Sequence, residues 1–79
     1  MDIQIAKIEN VGIYFVRQFE NETGKIKYQF LYQHLKGTQK LGNSKATNLK
    51  ALYKIIDADF SRFSKKVDYK ILTKKDFEC

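Results

Sequence analysis

The spacing of hydrophobic residues changes once along this chain, near residue 44. Before that point apolar and polar residues tend to alternate; after it apolar residues recur at intervals of three and four. Residues 3–8 alternate imperfectly and predict a first strand, followed by a turn at Asn10-Val11-Gly12. Residues 13–19, Ile-Tyr-Phe-Val-Arg-Gln-Phe, form a β-rich run. Asn21-Glu22-Thr23-Gly24 then supplies hairpin chemistry, with Gly24 free to adopt a positive φ. From Lys25 to Leu35 the alternation is clear: Ile26, Tyr28, Phe30 and Tyr32 share one face, and Lys25, Lys27, Gln29 and Gln33 the other, interrupted by Leu31 and Leu35. Lys36-Gly37 predicts a turn, and Thr38 to Leu41 a short partner strand closed by Gly42-Asn43.

Leu49, Leu52, Tyr53, Ile55, Ile56, Phe60 and Phe63 then predict a helix that starts near Ser44 to Asn48 and ends near Ser64. Ser44, Thr47 and Asn48 are each able to cap its first turn, and Lys65 and Lys66 suit its C-terminal end. Val67, Tyr69 and Ile71 alternate with Asp68 and Lys70 as a last strand, and residues 73–79 read as a frayed tail. The expected fold is α+β, two layers, an antiparallel sheet of four or five strands with one long helix on a single face, in the order β-β-β-(β)-α-β. Residues 1–79 form one small basic domain.

Charge changes this picture from a fold to a binder. No acidic residue stands between Glu22 and Asp57, while Lys25, Lys27, Lys36, Lys40, Lys45, Lys50 and Lys54 all do. The formal net charge is +6, and this segment more than accounts for it. A stretch of one sign attracts a polyanion or an acidic surface. The single Cys, at Cys79, rules out an internal disulfide and suits a reducing cytoplasm. The N-terminal residues lack the basic-then-apolar pattern of a signal peptide, and no apolar run approaches the roughly 20 residues of a membrane span. Lysine far outnumbers arginine, and Ile and Asn are common, a bias that suggests an AT-rich phage or mobile element in a bacterial host.

Three candidate sites follow. The first is the polar face of the sheet, whose lysines can follow a phosphate backbone; Gln29 and Gln33 offer amides for an adenine edge, although any half-buried sheet carries polar residues outside. The second is Gly42-Asn43-Ser44-Lys45, an anion site at the start of the helix flanked by Lys40, or else ordinary capping; it is not a Walker motif. The third is the set of hairpin aromatics, Tyr14, Phe15, Phe19, Tyr28, Phe30 and Tyr32, of which an exposed one is able to stack on an unpaired base; Tyr14 is expected to face outward and most of the rest to form core. His34 and Cys79 have no metal-ligand spacing, and Asp57, Asp59 and Glu78 form no carboxylate pair. No catalytic apparatus, metal site or cofactor is expected; His34 is a surface or strand-end histidine and Cys79 an exposed, idle thiol.

The stretches Gly12-Ile13-Tyr14-Phe15-Val16-Arg17, Thr23-Gly24-Lys25, Lys40-Leu41-Gly42 and Ser44-Lys45 make residues 12–58 resemble the arm-type DNA-binding domains of phage integrases and the related AP2-like fold. That family reads DNA with three antiparallel strands placed before a helix. The resemblance implies DNA-facing roles for Arg17, Lys25, Lys27 and Gln29. The chain departs from the family in adding strands at both ends and in carrying no core-binding or catalytic domain after the match. In size and shape it is also similar to phage-encoded anti-CRISPR inhibitors, which share no motif from which a residue role follows.

The sequence therefore supports a non-enzymatic protein that binds DNA or RNA through Arg17, Lys25, Lys27, Gln29, Gln33, Lys36, Lys40, Lys45 and Lys50. The alternative is an anti-CRISPR-type inhibitor that binds a host nuclease or its guide-RNA nucleoprotein, with Leu31, Leu35 and Tyr14 as exposed apolar anchors. Either is expected to act as a monomer or weak homodimer, without a membrane partner.

Overall fold

The computed structural model describes residues 2–78, apart from the side chain of Asn43; the expectation for the Cys79 thiol lies outside the described residues. Four strands, β1 (Asp2–Ile8), β2 (Gly12–Glu20), β3 (Ile26–His34) and β4 (Lys40–Ala46), precede one helix, α1 (Leu49–Phe60), and a short 3-10 helix spans Lys74–Phe77. The sheet is antiparallel throughout, in the order β1-β2-β3-β4. It is the expected α+β arrangement, with α1 packed on one face.

The β2–β3 hairpin is paired without interruption from Gly12 with His34 to Glu20 with Ile26. Gly24 closes its turn at φ 82°, and the Asn21 carboxamide oxygen accepts the backbone N–H groups of Thr23 and Lys25. In β1 the register shifts between Gln4 and Ala6. That bulge lets two successive residues, Ile5 and Ala6, both be buried, and it explains why the alternation there is imperfect.

The core lies between the helix and the face of the sheet that carries Tyr14, Val16, Tyr28 and Phe30. Leu52 and Ile56, one helical turn apart, are fully buried. Phe60 sets its edge against the rings of Tyr14 and Phe30, at centroid distances of 4.9 and 5.8 Å. Each such buried side chain contributes about 1.5–3 kcal/mol against the entropy of ordering the chain.

Several boundaries differ from the sequence reading. The fourth strand is longer and later than Thr38–Leu41, and it carries the Gly42-Asn43 pair expected to end it. The helix starts at the late limit of the expected range and stops at Phe60, short of Ser64. Asn48 alone caps it, its Oδ1 accepting the N–H of Ala51 at 2.8 Å. It stops at Phe60 because Ser61 and the following turn take over the last carbonyls: the Ser61 hydroxyl donates to Ala58 at 2.6 Å, and Phe63 N–H donates to Phe60. Lys65 and Lys66 therefore lie beyond the last turn.

Val67–Ile71 is not a strand. It is an extended segment held by a single backbone bond, Lys70 N–H to Ile5 carbonyl at 2.8 Å, and by Tyr53, whose hydroxyl donates to the Lys70 carbonyl and accepts the Leu72 N–H. The tail is not frayed either. Thr73 and Asp76 cap the 3-10 helix, and Phe77 is buried against Tyr28.

Candidate nucleic-acid interface

Because α1 covers one face of the sheet, the other face is left without a layer. Strand pairing places its side chains in rows. Asp2, Arg17, Gln29 and Lys45 form one row; Gln4, Phe15, Leu31 and Gly42 the next; Lys7, Ile13, Gln33 and Lys40 a third; Phe19 and Lys27 pair at the hairpin end. Among the described residues, five cations thus share the face with one carboxylate.

That carboxylate is well used. Arg17 donates to both Asp2 oxygens, Nε at 2.7 Å and Nη2 at 2.9 Å, and Lys40 Nζ reaches Oδ2 at 3.0 Å. The Arg17 guanidinium, with Lys40 beside it, holds the Asp2 carboxyl far below the usual carboxylate range, against a weaker opposing effect of partial burial; the same contact raises Arg17. Lys40 starts on β4 and ends on β1, so its stem crosses two strands, and its ammonium sits 4.4 Å from the centroid of Phe15. Lys45 lies similarly over Phe19, at 5.4 Å. These are cation–π contacts in which a lysine lies over a half-buried ring.

Leu31 faces this way too, yet it is only 2% exposed and stands apart from the main core. The long side chains of its own face enclose it. It is therefore not the exposed anchor expected from the sequence, whereas Leu35 is exposed. Tyr14 is also corrected: it is 1% exposed, pointing into the core with Phe30 and Phe60 around it. Its neighbours Phe15 and Phe19 take the open face instead. The signal for them was Arg17, which has the same strand parity; an outward Arg17 carries Ile13, Phe15 and Phe19 outward with it.

The structure brings together Arg17, Lys27, Gln29, Gln33, Lys40 and Lys45, and adds Lys7. It separates the remaining predicted contacts. Lys25 and Lys36 are exposed at opposite ends of β3, in its two flanking turns, and Lys50 is exposed on the helix, behind the sheet. Gln33 Nε2 donates to the Gly37 carbonyl at 2.9 Å, and the Gln29 amide lies over Gly42, where a β-carbon would come within 2.3 Å of it. Gly42, Asn43, Ser44 and Lys45 lie within β4, not at the helix start, so they form no helix-terminal anion site; the side chain of Asn43 is outside the described residues.

His34 is exposed at the end of β3, where its Nδ1 accepts the Lys36 N–H. Among the described residues no group of His, Cys, Asp and Glu is placed to hold a metal ion, and no helix is long and apolar enough to cross a membrane. Comparison with known proteins finds no matching family model, curated protein or solved structure.

Proposed function

We propose that this chain is a non-enzymatic basic protein that binds nucleic acid, DNA or RNA, through the helix-free face of its sheet. One observation carries the reading: among the described residues, Lys7, Arg17, Lys27, Lys40 and Lys45 share that face with two half-buried phenylalanines and one acid. Phosphates gain from such a surface by releasing counterions, without regard to sequence. In this reading the protein works in a bacterial cytoplasm and comes from a phage or mobile element, as its lysine-rich, arginine-poor composition suggests.

The test is fluorescence anisotropy with labelled single-stranded and duplex DNA and RNA across a salt series. Three or four phosphate contacts give a log–log salt slope of roughly −3. Absence of binding to every probe at low salt would overturn the proposal.

A second reading has its own support. The same face is partly apolar, through Ile13, Phe15 and Phe19, and Leu35 and Leu41 are exposed nearby in the chain. That suits an anti-CRISPR-type inhibitor docking on a nuclease or its guide-RNA complex. It predicts a nuclease-resistant complex on size-exclusion chromatography that Phe15 and Leu35 substitutions abolish.

A further inference from the structure

We infer that the nucleic acid held by this face is single-stranded, with two non-adjacent bases stacked on Phe15 and Phe19. The inference rests on the nucleic-acid reading above and narrows its substrate class.

The faces of bases in a duplex are already stacked on one another, so a ring pointing at solvent finds a partner only in an unpaired base. Phe15 and Phe19 are such rings. Both are half-buried on the open face, and in the free protein a lysine ammonium lies over each, Lys40 over Phe15 and Lys45 over Phe19. Reading a duplex needs free hydrogen-bonding groups at base edges. Of the two amides on β3, Gln33 Nε2 is already bonded to the Gly37 carbonyl, and Gln29 is folded down over Gly42. What the face offers is therefore rings and cations, the combination that suits a flexible strand.

The spacing sets how the strand lies. Phe15 and Phe19 are four residues apart on β2, which puts their anchor points about 13 Å from each other. Neighbouring stacked bases sit only about 3.4 Å apart, so the two held bases have at least one nucleotide between them. Arg17 stands midway and faces the same way. A base arriving at either ring replaces the ammonium there, and the displaced lysine moves to an adjoining phosphate. Lys45 thus exchanges a ring contact for a phosphate contact, and Lys40 exchanges its contacts with Phe15 and Asp2 for one.

The experiment compares anisotropy with oligo-dT, oligo-rU and a mixed-sequence duplex of roughly a dozen nucleotides or base pairs, on the intact chain and on Phe15→Leu, Phe19→Leu and the double variant Lys27→Gln/Lys45→Gln, each checked for folding by circular dichroism. The intact chain is expected to hold a single strand at least about tenfold tighter than the duplex. Each leucine variant should lose about fivefold to a hundredfold on the single strand at an unchanged salt slope, whereas the lysine variant should flatten the slope. If a leucine variant fails to fold, Phe15→Trp serves instead. It keeps a ring and gives the chain its sole tryptophan, whose emission should be quenched by oligo-dT and left alone by the duplex. Tighter duplex binding, leucine variants that bind the single strand as the intact chain does, or an unquenched tryptophan with oligo-dT bound would overturn the stacking inference and leave the nucleic-acid reading standing. Absence of binding to all three probes would overturn both.

Discussion

Lys40 reaches Asp2 across the whole width of the sheet, joining β4 to β1 at 3.0 Å while β2 and β3 lie beneath. Asp2 holds two cations at once, and this restrains both the sheet and the charge on its open face. Asp2→Asn should lower stability by about 1 kcal/mol, the upper end for a surface pair because the Asp2 carboxylate is largely covered, as read by urea denaturation. It should also raise affinity for oligo-dT several-fold, because Arg17 and Lys40 are released. The carboxyl is depressed in the folded state, so its contribution is complete above the ordinary value of 3.8 and fades only as pH falls toward its much lower folded value. Between about pH 5 and 8 the stability difference between the two proteins should be flat.

Tyr53 is the second fastening. Its hydroxyl donates to the Lys70 carbonyl at 2.6 Å and accepts the Leu72 N–H at 3.0 Å. Tyr53→Phe leaves two backbone groups unpaired, at a cost of about 1–3 kcal/mol. Hydrogen exchange at Leu72 should accelerate before that of the β2–β3 hairpin. Burial raises the Tyr53 hydroxyl above its ordinary 10.0. The unfolded chain therefore ionises first, and stability should fall as pH rises past about 10. The fall should be smaller in Tyr53→Phe.

Gly12 and Gly42 should respond in opposite ways to alanine. A β-carbon at Gly12 would stand 2.3 Å from the Gln33 carbonyl oxygen, which is backbone and cannot yield without opening the hairpin. At Gly42 the same distance is to the Gln29 amide, the free end of a flexible side chain. Gly12→Ala should cost several kcal/mol, on the scale of about 3 or more seen for severe core disruption, whereas Gly42→Ala should stay within about 1 kcal/mol. Thermal unfolding of the two variants decides it.

Phe77→Ala should cost about 3 kcal/mol, because the ring is buried against Tyr28. Ile71→Ala should be neutral within about 0.5 kcal/mol, since Ile71 is 71% exposed. A frayed tail and a terminal strand through Ile71 would have given the reverse order, and chemical denaturation distinguishes them.

The elements that alternation or helical spacing marks strongly are the ones the chain states openly. β3 and the buried stripe Leu49, Leu52, Ile56 and Phe60 follow directly from residue spacing. Tyr14 was misread because Ile13, Tyr14, Phe15 and Val16 are all apolar, and local spacing cannot choose between two faces that both accept apolar groups. The choice is made by pairing with β3, where Tyr14 stands opposite Tyr32. β4 was misplaced because its register shifts opposite Gln29 to Leu31, a long-range irregularity with no local marker. Residues 67–71 alternate as a strand does, but alternation reports a segment lying on a surface and not a hydrogen-bonded ladder. On the open face Lys27, Lys40 and Lys45 were visible from the missing acids, whereas Lys7 lies outside that stretch. That they would split between the sheet, the turns and the helix was not, since charge carries no information about direction.

The two rims of the sheet are unlike. Beside β1 runs the segment around Lys70, joined to Ile5; β4 has no strand neighbour on its outer side among the described residues. A sheet with one guarded rim and one bare rim is able to grow in one direction only. Two copies joined β4 to β4 about a twofold axis would use up both bare rims, so assembly by edge pairing halts at a pair. Adding a further copy at β1 would first require the segment around Lys70, which the Tyr53 hydroxyl holds, to leave Ile5.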